Sequence, residues 1–352
     1  MIPLLAVAST AAVLAALPAA AQGWQLELPP RPNVVFEETF YPNDGIFHLK
    51  SDMVTNCIGD QGDSSCTAVG SYGAALGLDF VGSSVKVTGA ASNANSSEPR
   101  PVGSFSLYDG MFPVDGDQQV HIGQGVLAAR DGLNPKPYRG SMNIYWASDV
   151  KVQSVAVSTG MYVNDPNAKR ETVQSETISA VQGSGLHPFY KLDGSKWKAN
   201  GSGNNSFATG SSGSMVSVNV PQNTTYVKVR GLTGPDAGAL TMSLRTREGS
   251  TKPDLASGSA KLASHPQRAS TTGSTLFALP LDPTKTYYFE VEADAGSFYL
   301  RDMTFWSSLP KGSSPGSAAG GAGGVGGVFG AATMASANIA VLSASLLLYA
   351  LV

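Results

Sequence analysis

Short runs in which apolar and polar residues alternate recur between residues 33 and 310. These runs are rich in β-branched and aromatic residues, and Gly, Pro, Asn and Ser separate them at intervals of about ten residues. Alternation with a period of two is typical of half-buried strands, and the helical period of 3.6 is nearly absent here. The pattern predicts an all-β protein whose antiparallel strands form β-sandwiches.

The predicted strands fall into two sets, separated by the polar stretch VNDPNAKRETVQSETISAVQGSG. The first set is NVVFEE, IFHL, LGLDFV, SVKVT, SFSLY, GVLAA, SMNIYWA and VQSVAVST, and the second is MVSVNV, TYVKVRG, LTMSLRT, TLFALPL, TYYFEVEA and FYLRDMTFW. The chain is long enough for each set to bury a core of its own. We therefore expect two sandwiches with a boundary near 169–185, where one short helix fits.

The N-terminal residues have the pattern of a secretory signal peptide. The apolar stretch LLAVASTAAVLAALPAAA ends in small residues at positions 19 and 21, which suits cleavage before Gln22. We expect residues 1–21 to be removed on export.

The C-terminal residues predict a second signal that is cut away. Small residues in KGSSPGSAAGGAGG precede a weakly structured spacer and then the apolar run NIAVLSASLLLYALV, after which no Lys or Arg follows. This order is typical of a glycosylphosphatidylinositol (GPI) signal, with Ser317 as the expected attachment residue and Gly320 to Gly324 as the competing window. A single membrane-spanning helix over 328–352 is the alternative.

These signals and the two strand sets predict the organisation of the whole chain. The expected parts are a signal peptide at 1–21, a first β-sandwich at 22–168, a linker at 169–185, a second β-sandwich at 186–310, a Gly/Ser linker to the anchor site at 311–317 and a removed GPI propeptide at 318–352. The mature protein is expected on the extracellular face of the plasma membrane or in the cell wall, attached to the membrane through its GPI lipid, with a part of it secreted.

Charge and cysteine content narrow the range of partners. The formal net charge is −3 and charged residues make up only 14%, without a basic cluster, which argues against nucleic acid as a partner. Cys57 and Cys66 are expected to form a disulfide in the oxidising secretory route. Between them, Asp60 and Asp63 offer hard oxygen ligands to calcium, and a purely structural loop is the alternative.

Four N-glycosylation sequons fit an exported protein. Each has the form N-x-S/T with x other than Pro, and they begin at Asn95, Asn200, Asn204 and Asn223. We expect these asparagines to lie on exposed loops and the protein to be a glycoprotein.

The two strand sets resemble each other at an offset of about 140 residues. GSSVKVTG at 82–89 matches NTTYVKVRG at 223–231, and GSFSLYDG at 103–110 matches LTMSLRTREG at 240–249. MNIYWASDVKVQSVAV at 142–157 then parallels YYFEVEADAGSFYLRDMTF at 287–305. The matches predict two copies of one sandwich, because alternation of this kind repeats with the strand order of a domain.

The same stretches carry a family resemblance. LGLDFVGSSVKVTG, GSFSLYDG, MNIYWASDVKVQSVAV and TYYFEVEADAGSFYLRDMTFW resemble the tandem galactose-binding-like jelly rolls of fungal surface proteins. With its two signals and its Gly/Ser linker, the chain is similar to fungal GPI-anchored cell-surface mannoproteins. The resemblance implies two jelly-roll-like sandwiches, a cell-wall or plasma-membrane location and heavy mannosylation.

Motifs for catalysis are weak. The only G-x-S-x-G pattern is GSSPG at 312–316, outside any strand-to-helix context. Glycoside hydrolysis needs two carboxylates across a cleft, whereas Glu37 and Glu38 point to opposite faces of a strand, and Glu290 and Glu292 share a face that is expected to be solvated. We expect no enzyme, with a cell-wall glycan hydrolase as the weaker alternative.

Metal and haem chemistry has little support in the sequence. The four histidines are scattered, without metal-ligand spacing. His48 beside Phe47, and His187 before Phe189 and Tyr190, are candidate contacts for haem. No resident cofactor is expected, and calcium and haem are kept as weaker possibilities.

Aromatic residues on loops are the candidate contacts for a glycan. Sugars pack against flat rings, and the loop candidates for this role are Tyr108, Tyr138, Tyr190 and Trp197. Trp146 and Trp306 lie inside strand patterns and are expected in the core. The sequence favours a non-catalytic surface glycoprotein that is structural or binds cell-wall or host glycans, and surface capture of a small ligand such as haem or iron for uptake is the rival function.

Overall fold

The computed structural model of the chain describes residues 32–310, apart from 51–52, 58–65, 93–100, 111, 115, 148, 166, 193–195, 202–205, 234–236, 239, 247–255, 259–270 and 294–295. Within this part the protein is built from β-strands, and no α-helix occurs. The prediction of an all-β protein is confirmed. The signal peptide, the GPI signal with Ser317, and Asn95, Asn204, Asp60 and Asp63 lie outside the described residues.

The strands are numbered in chain order and form two units. The first unit contains β1 (Val34–Phe40), β2 (Phe47–Lys50), β3 (Val54–Cys57), β4 (Cys66–Gly70), β5 (Ala75–Gly82), β6 (Ser84–Ser92), β7 (Pro101–Asp109), β8 (Phe112–Pro113), β9 (Gln118–His121), β10 (Gly123–Arg130), β11 (Lys136–Ile144) and β12 (Asp149–Met161). The second contains β13 (Val173–Ser179), β14 (Val181–Gln182), β15 (Gly185–Leu186), β16 (Lys191–Leu192), β17 (Trp197–Asn200), β18 (Phe207–Gly210), β19 (Met215–Asn219), β20 (Thr224–Thr233), β21 (Leu240–Thr246), β22 (Ala256–Gly258), β23 (Thr271–Pro280), β24 (Tyr287–Ala293) and β25 (Phe298–Pro310).

The first unit is a sandwich of two antiparallel sheets. Sheet A has the order β10-β6-β12-β4-β3, with β1 also paired to β12, and sheet B has the order β2-β5-β11-β7-β8, with β9 also paired to β7. Alternate residues of both sheets point into one core, where Val85 and Val155 of sheet A meet Leu78, Phe105 and Met142 of sheet B. Burial of these apolar faces is the main force that holds the two sheets together.

The second unit repeats this arrangement in its two main sheets, to which the short hairpin of β14 and β15 is added. Sheet C has the order β17-β18-β25-β20-β23, with β13 also paired to β25, and sheet D has the order β16-β19-β24-β21-β22. Sheets C and D enclose a core that includes Val229, Met303, Val218, Leu244 and Phe289. The matched sequence segments occupy equivalent places, because β6 corresponds to β20, β7 to β21, β11 to β24 and β12 to β25. The sheet order therefore supports the internal repeat.

One repeated glycine has a steric reason. Gly89 ends VKVTG on β6, and Gly231 ends VKVRG on β20. A Cβ at Gly89 would lie 2.0 Å from the carbonyl oxygen of Lys151, and one at Gly231 would lie 2.0 Å from that of Tyr299. Both positions adjoin a register irregularity, after which the strand continues out of step with its partner. Only glycine lets the two backbones approach this closely.

The boundary between the units differs from the predicted linker at 169–185. Residues 170–172 form a short 3-10 turn, and the strand Val173–Ser179 pairs with β25 inside sheet C. The segment 173–179 is rich in polar residues and was therefore predicted to be a linker. It is an outer strand, and such a strand buries few of its side chains. The second unit therefore begins at Val173, and the connection between the units is shorter than expected.

The disulfide between Cys57 and Cys66 is confirmed. The two residues are directly opposite each other on the hairpin of β3 and β4 in sheet A. The corresponding hairpin of the second unit, β17 and β18, contains Trp197 at its start instead. The two cysteines are close in sequence, so the disulfide lowers the conformational entropy of the unfolded chain only modestly.

Buried charges connect the two units. Glu38 of β1 is 5% exposed, and its carboxylate accepts hydrogen bonds from Lys228 Nζ of β20 at 2.6 Å and from Arg170 Nη2 at 2.7 Å. The Arg170 guanidinium also lies over the ring of Phe36, 4.3 Å from its centroid. This ion triad joins the first unit, the connection and the second unit at one point.

A loop of the first unit also bonds to the edge of sheet C. The Asp44 carboxylate accepts the backbone N–H of Thr275 at 2.6 Å, and the backbone N–H of Gly45 donates to the carbonyl of Thr275 at 2.7 Å. The hydroxyl of Thr233 donates to the backbone carbonyl of Asn43 at 2.9 Å. Since these groups are buried and hydrogen-bonded, the two units pack as one body.

Candidate functional site

The outer face of sheet B collects polar side chains from strands that are distant in sequence. Inward-pointing residues of β5, β7 and β11 fill the core, so the residues between them point to the solvent side. We call this surface the sheet B face, and it comprises His48, Asp79, Ser104, Ser106, Tyr108, Arg139, Ser141, Asn143 and Tyr145.

Small residues line the middle of the sheet B face. The strand register puts Gly77, Ser141 and Ser106 in one row across β5, β11 and β7. The next row contains Ala75, Asn143 and Ser104. Within β5, β11 and β7 these rows hold only small or polar side chains, while His48 of β2 extends the first row and packs against Gly77, and Gln119 of β9 extends the second.

Neighbouring side chains cover the serines of β7 on this face. Ser104 and Ser106 are 7% and 6% exposed although they point away from the core. Ser106 Oγ donates to Asp117 Oδ1 at 2.7 Å, and the hydroxyls of Ser104 and Tyr145 are 2.9 Å apart. Their neighbours therefore form a rim above them and orient both hydroxyls.

At one end of the floor lies a cluster of charged residues, which we call the charged end. Asp79 Oδ2 is 2.8 Å from His48 Nε2, and its two oxygens accept hydrogen bonds from Arg139 Nε at 2.9 Å and Nη2 at 3.2 Å. Burial by itself would raise the pKa of the Asp79 carboxyl, but the hydrogen bonds and charges of His48 and Arg139 outweigh it and lower the pKa to about 2. Asp79 therefore stays ionised near neutral pH and cannot serve as a general acid there.

At the opposite end of the floor lie three aromatic residues, which we call the aromatic end. Tyr72 and Trp146 are each 67% exposed, with ring centroids 6.2 Å apart, and the adjacent Tyr145 is also exposed. Backbone hydrogen bonds hold both loops, since the N–H of Gly73 donates to Ile144 and that of Trp146 donates to Val102. Exposed aromatic side chains that cluster in this way commonly mark a binding surface.

The structure changes the list of predicted glycan contacts. Tyr138, Tyr190 and Trp197 are buried, so the prediction that they contact a glycan is wrong. Trp197 begins β17, where its indole N–H donates to the backbone carbonyl of Met215 at 3.2 Å and its ring packs against Phe298. Burial lets these rings fill the core, which leaves none of them able to stack on a sugar.

The remaining aromatic predictions divide in two. Tyr108 is half-buried on the sheet B face, next to Arg139 in the register. Trp306 packs against Tyr226 with ring centroids 5.3 Å apart, in line with its expected place near a core. Trp146 was expected in the core and is instead exposed, because β11 ends at Ile144 and the chain bends before the next inward position.

Both candidate haem histidines already have protein contacts. His48 belongs to the charged end, and His187 Nδ1 accepts the backbone N–H of Phe189 at 3.1 Å. Partial burial lowers the pKa of the His187 imidazole. His48 lies in the first unit and His187 in the second. Among the residues with described positions, no group of three or more His, Cys, Asp or Glu side chains could hold a metal ion.

The carboxylates considered for hydrolysis are separated in the fold. Glu38 is held by two cations between the units, while Glu37 points to the opposite, exposed side of β1. Glu290 lies on the outer face of sheet D, where it accepts a hydrogen bond from Ser243 at 3.3 Å. Both oxygens of the Glu38 carboxylate are occupied by Lys228 and Arg170, so this side chain does not face a cleft.

Two of the four sequon asparagines lie in the described part of the chain. Asn200 is exposed on β17, and its amide donates to Thr209 Oγ1 at 2.7 Å. Asn223 is partly exposed in the turn before β20, at a φ of 62°. Glycosylation of both remains a prediction. The described residues also contain no helix long and apolar enough to cross a membrane.

Comparison with known proteins leaves the function open. No family model matches the chain, and no curated protein matches it. Among solved structures, it is similar to the CBM22-1–CBM22-2 tandem of Paenibacillus barcinonensis Xyn10C, with 13% identity over 80% of this chain and 99% of that one and a TM-score of 0.25.

Two further solved structures are similar to this chain with comparable TM-scores. Paenibacillus xanthan lyase matches with 8% identity over 74% of this chain, which spans 25% of that enzyme, at a TM-score of 0.26. The extracellular domain of ANXUR2 from Arabidopsis thaliana matches with 10% identity over 74% of this chain and 91% of that one, at a TM-score of 0.23. With scores this low, function has to be inferred from the side chains of this protein.

Proposed function

We propose that the protein is a non-catalytic glycan-binding protein and that the sheet B face of its first unit is the binding surface. The observation that carries this proposal is the exposed aromatic end, which continues directly into a floor of oriented hydroxyl and amide groups. A sugar presents an apolar C–H face and a belt of hydroxyls, so it needs an aromatic ring together with hydrogen-bonding partners. Both requirements meet at Tyr145, whose ring is exposed and whose hydroxyl contacts Ser104.

A single exposed aromatic residue would not support the same proposal. Phe112 is 74% exposed, yet it lies on the short strand β8 and points away from the sheet B face. Isolated apolar residues of this kind are normal on protein surfaces. The aromatic end differs because the rings of Tyr72 and Trp146 adjoin each other and the hydroxyl of the neighbouring Tyr145 contacts Ser104 of the polar floor.

A thermal-shift screen of the purified chain tests the proposed function. Linear oligosaccharides of β-glucan, mannan and xylan are compared with calcium and haemin. A ligand of the folded state raises the midpoint in proportion to ln(1 + [L]/Kd), so we expect a shift with at least one glycan. A shift with haemin and with none of the glycans would replace glycan binding with capture of a small ligand.

We also propose that a GPI lipid holds the protein on the outer surface of the cell or in its wall, with Ser317 as the attachment residue. The support is the sequence order of small residues, spacer and apolar end. Deleting residues 339–352 should release the protein into the medium, as measured by immunoblotting of cells and medium. Retention of the shortened chain on the cell would contradict the anchor.

We further infer that both units are jelly rolls and belong to a surface mannoprotein of the fungal type. The support for the jelly roll is the pairing of β1, β12, β6 and β10 in one sheet and of β5, β11, β7 and β9 in the other. In chain order these strands alternate between the sheets in the way that an eight-stranded double Greek key does. The second unit has the same alternation.

A further inference from the structure

The sheet B face is longer than a single sugar. What this length implies for the size of the ligand rests on the proposed function. Asn143 and Arg139 lie on the same side of β11, four positions apart, and Tyr145 follows directly after the end of this strand. At 3.4 Å per residue, Asn143 and Arg139 are about 14 Å apart along the strand. This distance exceeds the width of one sugar ring, so a single sugar at the aromatic end would leave the charged end uncovered.

The floor between the two ends is continuous. Along β11 it contains Asn143 and Ser141, and along β7 it contains Ser104 and Ser106. On the other side of β11, the residues at the same level are the small Ala75 and Gly77, and the side chain of His48 packs against Gly77. Asn143 and Ser141, which are partly exposed, offer hydrogen-bonding groups at the two successive levels of β11, whereas the hydroxyls of Ser104 and Ser106 are buried and already paired.

Charges within the site offset one another. Asp79 is negative, and Arg139 lies against it with two hydrogen bonds. Because the guanidinium of Arg139 is paired with the Asp79 carboxylate, the charged end offers donors and acceptors whose charges offset each other, which suits an uncharged ligand.

We infer that the sheet B face binds an extended stretch of an uncharged oligosaccharide chain, which lies along β11 from the aromatic end to the charged end, rather than a single terminal sugar. The aromatic end supplies the main apolar contact. The floor and Arg139 add hydrogen bonds that only the later sugars of a chain can reach.

Titration calorimetry with a length series tests this inference. The full chain is titrated with linear β-1,3-gluco-oligosaccharides, and with the equivalent manno- and xylo-oligosaccharides, from disaccharide to hexasaccharide. We expect affinity to rise about tenfold or more, equal to about 1.4 kcal/mol, before it levels off near the length of the face. Blocking the reducing end of the hexasaccharide should leave its affinity unchanged.

Two variants distinguish contacts along the face. Arg139→Ala should weaken hexasaccharide binding several-fold and leave disaccharide binding unchanged. Ser141→Tyr puts a bulky side chain in the middle of the floor on a solvent-facing strand position, so it should fold and should remove the advantage of long chains. Thermal midpoints of both variants are measured alongside.

The outcomes separate the two proposals. Equal affinity for disaccharide and hexasaccharide would overturn the extended site while glycan binding stands. Loss of disaccharide binding in Ser141→Tyr with a normal thermal midpoint would place the short ligand on the floor and also overturn it. If no oligosaccharide in any series binds, both this inference and the proposed function fail.

Discussion

Replacing Trp146 with alanine is expected to reduce oligosaccharide affinity by a factor of about 30 while leaving the thermal midpoint unchanged. Aromatic residues at the centre of a binding surface commonly contribute about 2 kcal/mol or more when truncated, which corresponds to this factor. The ring is 67% exposed in the free protein, so its removal exposes little of the core. Calorimetry and thermal unfolding of the same samples measure the two effects.

Phe112→Ala provides the matched control for this prediction. Phe112 is even more exposed than Trp146 and lies on β8 of sheet B, but its side chain points away from the sheet B face. Its truncation should leave oligosaccharide affinity as in the parent protein, and Trp146→Phe should recover part of the lost affinity. Equal losses in Phe112→Ala and Trp146→Ala, or no loss in either, would show that the aromatic end is not the site.

Glu38→Gln is expected to destabilise the protein by about 3 kcal/mol. The substitution removes the buried negative charge that holds Lys228 and Arg170, whose side chains are themselves partly buried. Truncating one member of a buried ion pair leaves the others without compensation, and their desolvation cost then opposes folding. Urea unfolding at neutral pH measures the change through the shift of the midpoint.

The neighbouring Glu37 supplies a control of the same chemistry. Its side chain is 56% exposed, and its nearest cation, Lys86 Nζ, is 3.9 Å away. Glu37→Gln should change stability by less than about 0.5 kcal/mol, because exposed ion pairs contribute little. If Glu37→Gln and Glu38→Gln were equally mild, the triad would not be what holds the two units together. Combining Glu38→Gln with Lys228→Gln should cost less than the sum of the single changes.

The alternation of apolar and polar residues was enough to find most strands of both sandwiches. It worked because a strand with one buried face must place every second side chain in the core. It failed at strand ends, where the period of two continues in the sequence after the strand has stopped. SMNIYWA keeps its alternation up to Trp146, but the strand ends at Ile144, so the ring leaves the core.

Trp197 shows the opposite error. It lies in KLDGSKWKANGSG, whose Gly, Asn and Lys residues are typical of a loop. In the structure Trp197 pairs with Gly210 across a short hairpin and is buried against Phe298. The information that buries it comes from the partner strand and from β25, which local composition does not contain.

The sequence by itself determined the all-β class, the position of most strands, the internal repeat and the pairing of the only two cysteines. The class and the strands follow from local periodicity, and the repeat and the cysteine pair follow from residue type and order, all of which can be read directly from the sequence. The tertiary structure alone decided which polar residues share the sheet B face, since Ser106, Ser141 and Gly77 meet only through the register of three strands. It likewise decided that Glu38 meets Lys228, because contacts between distant segments depend on how two whole cores pack, and no local pattern records that.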